Sequence, residues 1–267
     1  MSRLSRVLVT GGASGLGAAL VARFAERGDQ VLSADLSDAT VAGATATPER
    51  PVVRRRLDVT SEDDWAAAVA WVEDNWGGLD LLVNNAGVAG GGRLELTSIE
   101  DWHRIIDVNL LGVVRGTRAF VPMMKKQQSG RVVNTASLAG LVHPPGMGSY
   151  NAVKAAVVAF SETMSHELAP YGVGCTAVCP SYFRTNLMSS MRGQDTALAA
   201  QFTRLVETSP ISADDIAVAV LDGVDRGLDV VIPDEPARAA YALKLGDRGA
   251  YDAQMRATAA RAKERDA

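Results

Sequence analysis

The amino-acid sequence predicts a single α/β domain in which a mainly parallel sheet of seven strands is covered by helices on both faces. Short β-branched runs near 6–10, 30–35, 52–58, 79–83, 131–136, 173–179 and 229–232 alternate with helical patterns, and that alternation calls for such a sheet. A chain of 267 residues, 47% hydrophobic and 22% charged, buries a substantial core and suits one domain better than two small ones. No internal repeat or low-complexity linker interrupts the series. Residues 1–235 are therefore read as the domain, with a lid near 186–210, and 236–267 as a helical extension.

The first strand, Arg6 to Thr10, runs directly into Gly11-Gly12-Ala13-Ser14-Gly15-Leu16-Gly17 and then into a helix with apolar Leu16, Leu20 and Phe24. Gly11, Gly15 and Gly17 permit a tight turn, close backbone approach to a pyrophosphate and close helix packing. The free N–H groups at the helix start attract the anion. Gly28 closes that helix. The second strand ends in Asp35, about 20 residues beyond the loop, where an acid accepts both ribose hydroxyls of an adenosine. Asp35 thus argues for NAD and makes NADP the poorer fit. A 2′-phosphate would meet its negative charge, and neither Ala13 nor Ser14 offers a basic side chain to offset it.

The third strand carries Arg54-Arg55-Arg56, read as a solvated strand edge. Ser61 can cap the helix that follows, Trp65, Val69, Val72 and Trp76 form its apolar stripe, and Gly77-Gly78 ends it. The fourth strand leads into Asn84-Asn85-Ala86-Gly87, and Asn109 sits in an otherwise apolar helix. Ser137 closes the fifth strand. Tyr150 and Lys154 follow, four residues apart, so on a helix the phenol and the ammonium project from one face. Right-handed crossovers then bring Thr10, Asp35, Asn85, Ser137 and Cys179-Pro180 to one edge of the sheet.

This set suits proton transfer. Lowering a tyrosine from its free pKa near 10 to around 7 needs about 4 kcal/mol of preference for phenolate, which a nearby ammonium and an oxidised nicotinamide can supply. Lys154 is expected to tune Tyr150. Tyr150 then takes the hydroxyl proton during alcohol oxidation, and Ser137 holds the substrate oxygen.

The glycine spacing after Thr10, with Asn84-Asn85-Ala86-Gly87, Ser137, Tyr150 and Lys154, resembles the short-chain dehydrogenase/reductase family in its compact branch, over residues 5–233. The resemblance implies a Rossmann-like doubly wound fold, with Asp58 facing the adenine and Asn109 holding a water in the proton path. It also implies that Lys154 binds the nicotinamide ribose and Thr185 the carboxamide. Expected cofactor contacts are Thr10, Gly11, Ser14, Gly15, Leu16, Gly17, Asp35, Leu36, Asp58, Val59, Asn85, Ala86, Gly87, Tyr150, Lys154, Pro180 and Thr185. Asn109, Ser137, Tyr150 and Lys154 are the expected catalytic set, and Ser137, His143, Tyr150 and Tyr182 the expected substrate contacts. One departure stands out: Ser181 follows Pro180 where the family usually has glycine, so the shape of that loop is open. Phe183 borders the substrate or simply packs.

Residues 186–206, with Leu187, Met188, Met191, Leu198, Phe202 and Leu205, read as an amphipathic segment, either a lid over a fairly hydrophobic alcohol or ketone or a plain core helix. The tail after Pro233 holds Tyr241, Leu245, Tyr251 and Met255 at helical spacing and is expected to pack on the protein itself, with a neighbouring subunit or a membrane surface as alternatives. Small and apolar residues on several faces of helix 149–169 point to a subunit interface, and the resemblance implies a homodimer or homotetramer.

A net charge of −4 gives no general electrostatic reason to bind nucleic acid. No apolar run approaches the ~20 residues of a membrane span, and no charged leader with an apolar core precedes the first strand, so a cytoplasmic protein is expected. Cys175 and Cys179 lie roughly 13 Å apart on one strand, too far for a disulfide there. With three histidines and no Cys-x-x-Cys, no metal site is expected. Two other classes stay open: an NAD-binding redox sensor without turnover, and an epimerase or dehydratase that returns its hydride.

Overall fold

The computed structural model describes residues 5–37 and 52–264. Seven strands form one all-parallel sheet in the order β3-β2-β1-β4-β5-β6-β7. They are β1 (Arg6–Thr10), β2 (Gln30–Asp35), β3 (Val53–Arg56), β4 (Leu81–Asn84), β5 (Gly130–Thr135), β6 (Val173–Val178) and β7 (Val230–Val231). The order reverses between β1 and β4, which is the switch point where crevices open in doubly wound sheets. β3 is shorter than the sequence suggests. The Leu57 amide still bonds the Asp35 carbonyl, but Asp58 Oδ1 then accepts the Thr60 amide at 2.9 Å and turns the chain out of the sheet.

Strand pleating divides the core. Val7 and Val9 face one side of the sheet with Leu16, Leu20, Val21 and Phe24 of α1 (Gly15–Glu26) and Ile216 and Val220 of α8 (Ala213–Asp225). Leu8, between them, faces the other side. There it meets Trp65 and Val72 of α2 (Glu62–Trp76) and Phe120 and Met124 of α4 (Gly112–Gln127). Each such fully buried side chain contributes about 1.5–3 kcal/mol relative to exposure. Trp65 and Phe120 meet edge to face at 6.4 Å. α2 starts and stops as its sequence dictates: the Ser61 side chain accepts the Asp64 amide at 3.1 Å, and Gly77 takes the left-handed conformation, φ +66°.

The remaining helices complete the layers around the sheet. α3 (Ile99–Ile106) passes through a π-helical turn, Asp107–Leu111, into α4; α5 (Ala139–Val142) and α6 (Gly148–Leu168) follow β5; α7 (Thr196–Glu207) follows β6. α9 (Glu235–Gly246) and α10 (Arg248–Glu264) come after β7, and Tyr241, Tyr251 and Met255 pack against Val142, Val157 and Val158. The last three residues of the predicted extension lie outside the described residues. Arg54, Arg55 and Arg56 are exposed on β3 at the sheet margin, where Arg56 pairs with Asp64 and Arg55 lies 5.7 Å from the Trp71 ring centroid. Cys175 and Cys179 are buried free thiols. Among the described residues no helix is long and apolar enough to cross a membrane.

Candidate active site

A cavity of about 390 Å³ opens at the carboxyl ends of the central strands and runs from the glycine loop to the segment after β6. Its first wall is backbone. Thr10 is buried below it: the hydroxyl accepts the amides of Asn85 and Ala86, each at 3.0 Å, and donates to the Val83 carbonyl at 3.3 Å. Thr10 therefore ties the two loops together from beneath and does not line the cavity where a cofactor contact was expected. Gly17 is likewise set back. A Cβ there would lie 2.0 Å from the Gly11 carbonyl oxygen, so its role is the close passage of α1 across the loop. Gly15 does line the cavity at φ +53°, and a Cβ on it would stand 2.6 Å from Thr185 Oγ1.

The donor set fits a dinucleotide. Ser14 precedes α1 in an extended conformation and makes no capping bond, whereas Ser61, Ser212 and Asp234 cap α2, α8 and α9 with their side chains. Ser14 thus leaves the first-turn amides of α1 without a side-chain cap, which suits a bound phosphate. Asp35 is fixed by the amides of Ala13 at 3.0 Å and Ser37 at 3.1 Å, and lines the cavity with Leu36, Asp58 and Val59. Hydrogen bonds from Thr60 hold the Asp58 carboxyl below the usual range. Asn85, Ala86, Gly87, Pro180 and Thr185 complete the expected lining.

Ser137, Tyr150 and Lys154 converge in the middle of the cavity. Ser137 leaves the end of β5 with its Oγ accepting the Ala139 amide at 3.1 Å. Lys154 lies one turn after Tyr150 on α6, donates to the Thr135 carbonyl at 2.6 Å and sits 5.7 Å from the Tyr150 ring centroid. The expected downward pull on the phenol is not the dominant effect within the protein itself. Burial pushes Tyr150 up to about 12, opposed by its hydrogen bond with Ser137, and burial also brings Lys154 down to about 8.

Two further predicted residues stand outside. Asn109, buried in the π-helical turn, uses its whole carboxamide on Val88: Oδ1 accepts the amide at 2.8 Å and Nδ2 donates to the carbonyl at 2.9 Å. It positions the loop after β4. His143 has φ +55° and does not line the cavity; its ring nitrogens lie 3.1 Å from the Gly140 carbonyl and 3.0 Å from Lys244 Nζ. Tyr182 does line it, stacked with Phe202 at 6.4 Å, its hydroxyl donating to Met147 Sδ at 3.7 Å.

Around Tyr182 the lining is apolar: Val88, Val142, Met147, Met188, Met191, Phe202 and Val206. The segment 186–206 is held over this end by links that sequence reasoning missed. Asp195 caps α7 through the Leu198 amide at 3.2 Å and receives Arg93 Nε at 2.8 Å and Nη2 at 3.0 Å. The hydrogen bonds from Arg93 hold Asp195 down at about 2, against the upward push of its burial. The Ser190 hydroxyl accepts the Ala89 amide at 2.8 Å. An Asp ahead of an apolar helix is a legible cap, but its pairing with Arg93 across 102 positions carries no sequence signal.

The model of the family described as short chain dehydrogenase matches residues 5–196. A 2-(R)-hydroxypropyl-CoM dehydrogenase from Xanthobacter autotrophicus is 39% identical over 192 residues, 69% of this chain and 76% of its own length. A short chain dehydrogenase/reductase from Burkholderia phymatum in complex with NAD superposes with a TM-score of 0.84 at 31% identity, covering 91% of this chain and 94% of that one. One from Burkholderia cenocepacia in complex with NADP gives 0.79 at 28% identity, covering 95% and 98%.

Proposed function

From the premise that the chain belongs to the short-chain dehydrogenase/reductase family, a family of oxidoreductases acting on alcohols and ketones, we propose an NAD-dependent dehydrogenase of fairly hydrophobic secondary alcohols. The observation that carries this is the convergence of Ser137, Tyr150 and Lys154 in one cavity with the uncapped start of α1. The nicotinamide, when bound, accepts or gives the hydride. In oxidation Tyr150 removes the hydroxyl proton while Ser137 holds the same oxygen; in reduction Tyr150 returns that proton to the ketone. Lys154 stands close enough to favour the phenolate that reduction leaves behind.

Relatives bind either dinucleotide, and the choice here rests on Asp35. Its carboxylate, held by two backbone amides, suits a ribose diol and repels a 2′-phosphate. The apolar ring of Met147, Met188, Met191, Tyr182 and Phe202 supports the hydrophobic substrate. Exposed Ala152 and Ala159 on α6 support a homodimer or homotetramer, and we read the protein as cytoplasmic.

The test is reduced-cofactor absorbance with NAD⁺ or NADP⁺ and secondary alcohols from short aliphatic to steroid-sized. Turnover of a bulky apolar member with at least about tenfold preference for NAD⁺, roughly 1.4 kcal/mol, is expected. Tyr150→Phe is expected to lose on the order of 10²–10⁴-fold in turnover while still binding NADH. Near-normal turnover by a folded variant would remove Tyr150 from its role.

A further inference from the structure

The departure at Ser181 has a partner. Asp234, 7% exposed, sits between β7 and α9, and one carboxylate oxygen accepts the Ser181 hydroxyl at 2.5 Å while the other accepts the Ser181 amide at 2.9 Å. The same carboxylate caps α9 by accepting the Ala237 amide at 2.9 Å. Glycine at 181 would lose the hydroxyl link. The serine side chain therefore adds a second, hydroxyl link between the loop after β6 and the residue that caps the C-terminal extension, beside the main-chain link that a family-type glycine would also make.

That loop is central to the cavity. Pro180 receives the Leu138 amide at 2.9 Å, next to Ser137; Ser181 lines the cavity; Tyr182 stacks on Phe202; and Thr185 stands over Gly15. The extension also grips the other wall, since Tyr251 donates to the Val142 carbonyl and Lys244 to the Leu141 carbonyl. The extension thus holds the loop before Tyr182 and the helix after Ser137 at once.

We propose that Asp234, acting through Ser181, is a positioning residue that sets the 180–185 loop against the cofactor, making the C-terminal extension a working part of the active cavity. This rests on the reading of the cavity as a nicotinamide site. Ser181→Ala removes the hydroxyl bond alone. Asp234→Asn keeps Oδ1 as acceptor for the Ala237 amide and the Ser181 hydroxyl but turns an NH₂ group toward the Ser181 amide, so the α9 cap is retained while the main-chain link to the loop is broken.

Two measurements separate the outcomes. In the full chain without added ligand, amide exchange over 181–187 is expected to quicken at least tenfold in Asp234→Asn, with the melting midpoint held within a few degrees. NADH titrated by fluorescence is expected to bind at least fivefold more weakly to both variants, and the KM for the alcohol to rise more than kcat falls. Unchanged exchange and unchanged NADH affinity in both variants would overturn the couple. A lowered midpoint with unchanged affinity would also overturn it, leaving Asp234 as a helix cap only. Failure of the wild type to bind NADH would instead break the oxidoreductase reading, and the exchange experiment would still decide whether Asp234 holds the loop.

Discussion

The two ends of the cavity are built by different means. At the glycine loop, backbone packs on backbone: α1 crosses Gly11 so closely that Gly17 has no room for a methyl group, and Thr10 and Asn85 bind main-chain atoms. Around Tyr182, side chains do the holding: Arg93 grips Asp195, Ser190 meets Ala89, and Ser181 meets Asp234. Main-chain geometry tolerates few residue types, so the first end admits little variation. The second can change its pocket while the scaffold stays fixed, and this is how one fold serves many substrates.

The sharpest way to break that comparison is Gly17→Ala. Its Cβ would lie 2.0 Å from the Gly11 oxygen and 2.6 Å from Asn85 Nδ2. Overpacking of this kind costs about 3 kcal/mol, so calorimetry is expected to show a midpoint lower by roughly 6–10 °C, together with loss of NADH binding. A variant that melts and binds like the wild type would show that the loop has slack.

Arg93→Ala tests the other end with a smaller expected effect. The backbone amides of Arg93 and Leu198 still reach Asp195, so α7 keeps its cap but loses its tether. The KM for a bulky alcohol is expected to rise about tenfold, roughly 1.4 kcal/mol, with NADH affinity within twofold of wild type. A change in NADH affinity as large as the change in KM would mean the two ends are not independent. The folded-state depression of Asp195 also predicts stability present above the carboxylate's unfolded value and lost as the pH falls from about 4 through about 2. Arg93→Ala is expected to flatten that acid limb in urea melts.

The mildest test joins the ends through Lys154. Burial brings its ammonium to about 8, so the charge that favours the phenolate is present below that pH and lost above it. For ketone reduction, kcat/KM is expected to fall about tenfold per pH unit above 8, because kcat/KM reports the free enzyme. A profile flat to pH 10 would separate Lys154 from the proton chemistry.

The same contrast explains what the sequence could disclose. Gly11, Gly15, Asp35, Ser137, Tyr150 and Lys154 follow local rules: a turn that needs glycine, a strand end, a helical spacing of four. All six line the cavity. Thr10 and Gly17 obey the same rules but act from behind the wall, since a motif fixes a residue's place in the chain and not which of its atoms face the ligand. His143 was legible only as a neighbour of Tyr150, and its left-handed backbone turns the ring toward Lys244 on an element 101 positions away. Arg93 with Asp195 and Ser181 with Asp234 are likewise long-range pairs with no local pattern to announce them. The strand series was readable throughout, but β3 came out shorter because the turn at Asp58 is set by its own side chain.

The arginine run on β3 bears on behaviour at high concentration. An unpaired strand margin is a template on which a foreign strand can add. Here one margin presents three exposed cations in a row, and the other, β7, is two residues long. A second chain extending the sheet would meet like charge on one side and too short a partner on the other.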